Sequence, residues 1–119
     1  MKRVLVIEPD RSLRNQLQAK LEHHGFEVVQ SDCYYDSLLL LSFSRVHLII
    51  FGRNIPEIEK AQMACELNED GIAAPIISLR EAGGVERLYP HISAVLPETV
   101  PHQELAARAA ELVAVSRAA

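Results

Sequence analysis

Two short runs decide most of what this chain can become. Val4-Leu5-Val6-Ile7 is wholly apolar, and the stretch from Val46 to Phe51 is almost so. A strand with one face in water alternates apolar and polar residues, whereas a strand without alternation is covered on both faces. Sheets of that kind are parallel, and parallel neighbours need crossover connections, usually helices. The rest of the chain supplies them. Leu13, Leu17 and Leu21 recur at every fourth position among Arg14, Gln18 and Glu22, which predicts an amphipathic helix to about His24. Asp10 or Ser12 can cap its start, and Gly25 closes it.

The pattern then repeats. Phe26–Gln30 reads as a second strand, and residues 33 to 44, with the run Leu38 to Leu41, as a second helix. A third helix follows from about Glu57 to Glu69, with Ile58, Ala61, Cys65 and Asn68 expected near its inner face. Ala74–Leu79 is a fourth strand, opened by Pro75. Residues 80 to 90 are weaker: Gly83-Gly84 disfavours a helix and Pro90 stops one, so any helix there is short or irregular. Ile92–Leu96 is a fifth strand. Pro101 to about Val115 is the last helix, with Leu105, Ala109, Leu112 and Val113 inward. Five strand-helix units predict one α/β domain over residues 1–119, a doubly wound five-stranded parallel sheet between two layers of helices. The last residues read as the start of a longer helix, as expected of a domain excised from the N-terminus of a longer regulator.

Composition narrows the function. With 49% hydrophobic and 24% charged residues, the 119-residue chain can bury one real core. A net charge of −4 argues against direct nucleic-acid binding or attachment to an anionic membrane. No stretch is long and apolar enough for a membrane span or a secretory signal, and a cytoplasmic location is expected. Cys33 and Cys65 lie far apart and are expected to be buried, unreactive thiols. The five histidines show no metal-ligand spacing, so no metal is expected.

In a doubly wound sheet, chemistry collects at the carboxyl ends of the strands. Those positions hold Glu8, Pro9 and Asp10; Ser31 and Asp32; Gly52, Arg53 and Asn54; Arg80 and Glu81; and Pro97, Glu98 and Thr99. No glycine-rich phosphate loop follows the first strand, and no Walker lysine or serine-nucleophile motif is present. No cofactor is expected.

Four landmarks taken in order carry a resemblance. They are Val4-Leu5-Val6-Ile7-Glu8-Pro9-Asp10, Leu48 through Pro56, Pro75-Ile76-Ile77-Ser78-Leu79, and Val95-Leu96-Pro97-Glu98-Thr99 followed by Gln103-Glu104-Leu105. From about Arg3 to Val115 the chain resembles the receiver domain of bacterial response regulators. The resemblance implies a (βα)5, flavodoxin-like and CheY-like three-layer sandwich. It also implies a phosphorylation pocket, but the family's working residues do not transfer. Where the family has its phosphoacceptor aspartate stands Gly52. Of the magnesium-binding acidic pair, Glu8 remains and Pro9 replaces the other, with Asp10 one residue out of place. The family's switch hydroxyl falls on Arg80, its lysine on Glu98, its following proline on Thr99 and its aromatic switch residue on Val95. Phosphoryl transfer to a carboxylate needs the nucleophile, a hard cation on oxygen ligands and a positive group on the phosphoryl oxygens.

The expectation is a non-enzymatic pseudo-receiver that signals by protein contact, with Arg80 paired to Glu8 or Glu98 across the vestigial pocket. Expected partners are a second copy or an attached output domain, expected to be transcriptional. The alternatives are a stand-alone adaptor that binds another signalling protein, and a small-ligand or nucleotide sensor using the old pocket. The expected contact surface is Leu88, Tyr89, Val95, Leu105 and Val113; a further one uses Leu13, Leu17, Leu112 and Val113.

Overall fold

A computed structural model describes residues 2–81, 83 and 89–118. Its elements in chain order are β1 (Arg3–Ile7), α1 (Arg11–His23), β2 (Glu27–Ser31), α2 (Tyr34–Phe43), β3 (Leu48–Phe51), α3 (Glu57–Glu69), β4 (Ile76–Arg80), β5 (Ala94–Pro97) and α4 (His102–Ala118). The strands form one sheet of order β2-β1-β3-β4-β5, every neighbouring pair parallel. Of the connection between β4 and β5, where a short helix was expected, residues 82 and 84–88 lie outside the described ones.

Strand alternation divides the core in two. Val4 and Val6 of β1, Leu48 and Ile50 of β3, and Ile77 and Leu79 of β4 meet Leu17 and Leu21 of α1 and Leu105, Ala109 and Val113 of α4. Their neighbours Leu5, Ile7, Ile49, Phe51 and Ile76 face the other way, onto Met63, Ala64 and Leu67 of α3, with α2 side chains against them. Both faces of the central strands are thus dry, which is why their sequence does not alternate. Fully burying a side chain such as Phe51 contributes about 2–3 kcal/mol.

The helix ends follow local chemistry. Asp10 caps α1, its Oδ1 accepting from Leu13 N at 3.1 Å. Gly25 and Gly71, both at positive φ, follow the ends of α1 and α3, where a Cβ would be strained.

The inner face of α3 differs from the expectation. Its buried residues are Lys60, Met63, Ala64 and Leu67, while Ile58 is 71% exposed and Cys65 is also exposed. The stripe 60, 63, 64, 67 has ideal helical spacing, but its first member is a lysine, and a charge at that position disguises it. Cys33, expected to be buried, is exposed as well.

Candidate functional site

The site begins with the register of two strands. Ile7 pairs with Phe51, so Glu8 and Gly52 come next to each other at the carboxyl edge of the sheet. Gly52 N donates to Ile7 O at 2.8 Å. A Cβ placed on Gly52 would lie 2.7 Å from both Cβ and Cγ of Glu8. The Glu8 side chain therefore fills the volume in which any larger residue at 52 would begin.

Glu8 is 0% exposed. A buried carboxylate is costly unless hydrogen-bonded, and this one is. Asn54 N donates to Oε1 at 3.0 Å, Asn54 Nδ2 to Oε2 at 3.2 Å and Asp10 N to Oε2 at 2.6 Å. One carboxylate thus ties the loop after β1 to the loop after β3. Arg14 braces the first of these loops from α1, its Nη1 donating to Glu8 O at 2.7 Å and to Pro9 O at 3.1 Å. Pro9 itself is exposed, as is Asp10, which is engaged as the helix cap.

A second buried charge stands nearby. Lys60 is 0% exposed, and its Nζ donates to Leu79 O at 2.7 Å and to Glu57 Oε1 at 3.5 Å. Burial pushes the amine below the usual lysine range, while the carboxylates of Glu57 and Glu8 pull it upward. Lys60 lies on the stripe that the sequence disguised, and a lysine at helical spacing with Met63, Ala64 and Leu67 was the signal for it.

The ion pair across the pocket is not the one expected. Glu98 pairs with Arg53, Nε to Oε2 at 2.7 Å and Nη1 to Oε1 at 3.3 Å. Arg80 instead sends Nη1 to Glu81 O at 3.3 Å, and its own carbonyl accepts from Glu98 N at 2.8 Å. Arg53 follows Gly52 directly and sits within reach of the turn after β5, whereas Glu8 is already held by amides. The cleft between Glu8, Leu13, Arg53, Leu79 and Glu98 encloses about 40 Å³.

Two residues of the expected contact surface lie in the core. Leu105 is 1% exposed and Val113 3%, because both lie on the face of α4 turned to the sheet. Leu17 is buried with them, and Leu13 and Leu112 are half-buried. Tyr89 and Val95 are half-buried against the opposite core, and Leu88 lies outside the described residues. Among the described residues, the large apolar side chains that reach solvent are Tyr35 and Leu39 on α2, Ile58 on α3 and Val115 on α4. Ligand atoms of Asp32, Cys33 and Asp36 gather within 4.8 Å of one another beside α2, all three residues exposed.

No family model matches the sequence. Among solved structures, the Francisella response regulator 1452 receiver domain superimposes with a TM-score of 0.84 at 19% identity, covering 98% of this chain and 99% of its own. A receiver domain protein from Clostridium thermocellum gives 0.86 at 15% identity, covering 99% and 98%. The chain has the receiver-domain fold. A third receiver-fold structure, the response regulator TrrA of Thermotoga maritima, was solved with Mg2+ and BeF and gives 0.75 at 21% identity, covering 94% and 99%. Among curated proteins, the response regulator MprA of a Mycobacterium species is 24% identical over 110 residues, 89% of this chain and 48% of that protein. The chain therefore spans about half the length of the curated relatives it matches. Within the receiver fold, Gly52 follows β3 and Glu98 follows β5, the positions at which the resemblance put the family's acceptor and lysine. Among the described residues, no helix is long and apolar enough to cross a membrane.

Proposed function

We propose that this receiver-fold domain signals without phosphorylation, by contact with an attached output domain or with a second copy of itself, and that it catalyses nothing and needs no cofactor. The observation that carries this reading is Glu8 seated over Gly52 with three hydrogen bonds already made. An acceptor carboxylate is absent from position 52, and the space it would enter is filled. The carboxylate of Glu98, at the lysine position, repels a phosphoryl group and is held by Arg53.

An output domain is favoured as the partner because the matched regulators are about twice as long as this chain. A transcriptional role for that output belongs to the same proposal. The size of the cleft weighs against a small-ligand sensor, since about 40 Å³ holds a water or two and no nucleotide.

The test uses acetyl phosphate with Mg2+, followed by intact mass spectrometry and light scattering across low to high micromolar concentration. The expected result is an unchanged mass and an association state indifferent to the phosphodonor. Stoichiometric acid-labile phosphate on any aspartate, Asp10 included, overturns the proposal.

A further inference from the structure

The last turn of α1 and the first turn of α4 bring three histidines together. His23 ends α1, His24 is its C-cap and His102 begins α4. His24 Nε2 and His102 Nδ1 stand 2.9 Å apart. The His23 ring packs edge-on to both, with centroids 5.3 Å from His24 and 5.7 Å from His102 and interplanar angles of 90° and 85°. These residues share no member with the Glu8 pocket, and their sequence spacing gave no sign of the cluster.

We propose that His24, His102 and His23 bind a divalent transition metal ion of the zinc class, clamping α1 to α4. At the usual imidazole-to-zinc distance, two nitrogens this close subtend about 90° at a shared ion, and a slight opening brings them to the tetrahedral angle. In this site His23, whose ring packs against the other two, turns its side chain to supply the third nitrogen, and water completes an open three-ligand site. His23 and His24 are exposed and His102 half-buried, so the ion reaches the site from solvent. Imidazole donors without carboxylates select zinc, copper or nickel over magnesium or calcium. The bond spans 78 residues of sequence, so an ion here closes a long loop.

The experiment is calorimetric titration of the untagged chain with zinc chloride, with magnesium chloride as control, followed by thermal melts with and without the ion. One zinc per chain is expected, raising Tm by roughly 5 °C or more at saturation. His24→Gln and His102→Gln should each weaken binding about tenfold or more, and His23→Gln less, while zinc-free melts of all three match the parent. His91→Asn, at a φ of 71° that asparagine tolerates, is the histidine control and should bind as the parent does. No heat and no shift in Tm overturns the proposal. So does zinc binding that survives both His24→Gln and His102→Gln but is lost in Asp36→Asn, which assigns the ion to Asp32, Cys33 and Asp36. Half a zinc per chain with dimerisation overturns the clamp within one chain.

Discussion

Replacing Gly52 by alanine adds one methyl group, and its cost is set almost wholly by Glu8. The φ of Gly52 lies outside the left-handed region, so alanine meets no backbone penalty of that kind. The new Cβ would lie 2.7 Å from Cβ and Cγ of Glu8, well inside contact distance. Overpacking at a dry position costs about 1–3 kcal/mol. Swinging Glu8 aside instead gives up hydrogen bonds to a charged acceptor, about 1.5–3 kcal/mol each. The chain takes the cheaper mixture, and a loss of about 3 kcal/mol is expected, roughly 10 °C in Tm for a domain of this size. The decisive assay is a double-mutant cycle in urea with Glu8→Gly, since alanine at 8 would keep the Cβ that meets the new methyl group. With the Glu8 side chain gone, Gly52→Ala should cost less than about 1 kcal/mol, giving a coupling of about 2 kcal/mol or more. Additive costs would mean that Glu8 does not occupy the space over Gly52, and the argument for a filled acceptor site would fall with it.

Two further perturbations probe the charges around the site. Because burial lowers the folded pKa of Lys60 below its ordinary 10.5, the native chain binds fewer protons than the unfolded chain between those two values. Stability should therefore rise with pH across that window, and Lys60→Met should flatten the rise; parallel pH profiles for the two proteins would refute it. Glu98→Ala breaks an ion pair whose side chains are 25% and 34% exposed, so a loss of about 0.5–1 kcal/mol is expected, smaller still in high salt. A cost above about 3 kcal/mol in denaturant titrations would show that Glu98 does more than face Arg53.

Much of this was legible in the residues, and what was not has definite causes. Val4–Ile7 and Leu48–Phe51 announced a sheet covered on both sides, because an apolar run without alternation has few other uses. The proposal that Gly52 stands where the family has its acceptor rests on alignment of the landmarks alone. The burial of Glu8 did not follow from them, since it depends on a register that joins Ile7 to Phe51 and on the void a glycine leaves beside them. The α3 stripe was misphased for a related reason: Lys60 opens it, and a lysine is ordinarily read as solvated until a carbonyl such as that of Leu79 is found at its tip. Arg80 and Arg53 were equally placed at strand ends, and only the path of the loop after β3 brings Arg53 to Glu98. The histidine cluster joins residues from opposite ends of the chain, which no local pattern reveals.

The position of β1 also bears on how the chain is made. β1 lies between β2 and β3, yet it is synthesised before either. Its pairing with β2 waits for Glu27 to Ser31, and its second edge stays open until Leu48 to Phe51 have left the ribosome. Through that interval four consecutive apolar residues have no complete shelter. Lys2, Arg3 and Glu8 flank them, and charges in that placement discourage one nascent strand from pairing with another. Glu8 is thus set to serve twice, first as a guard on an open strand and later as the side chain that fills the site beside Gly52.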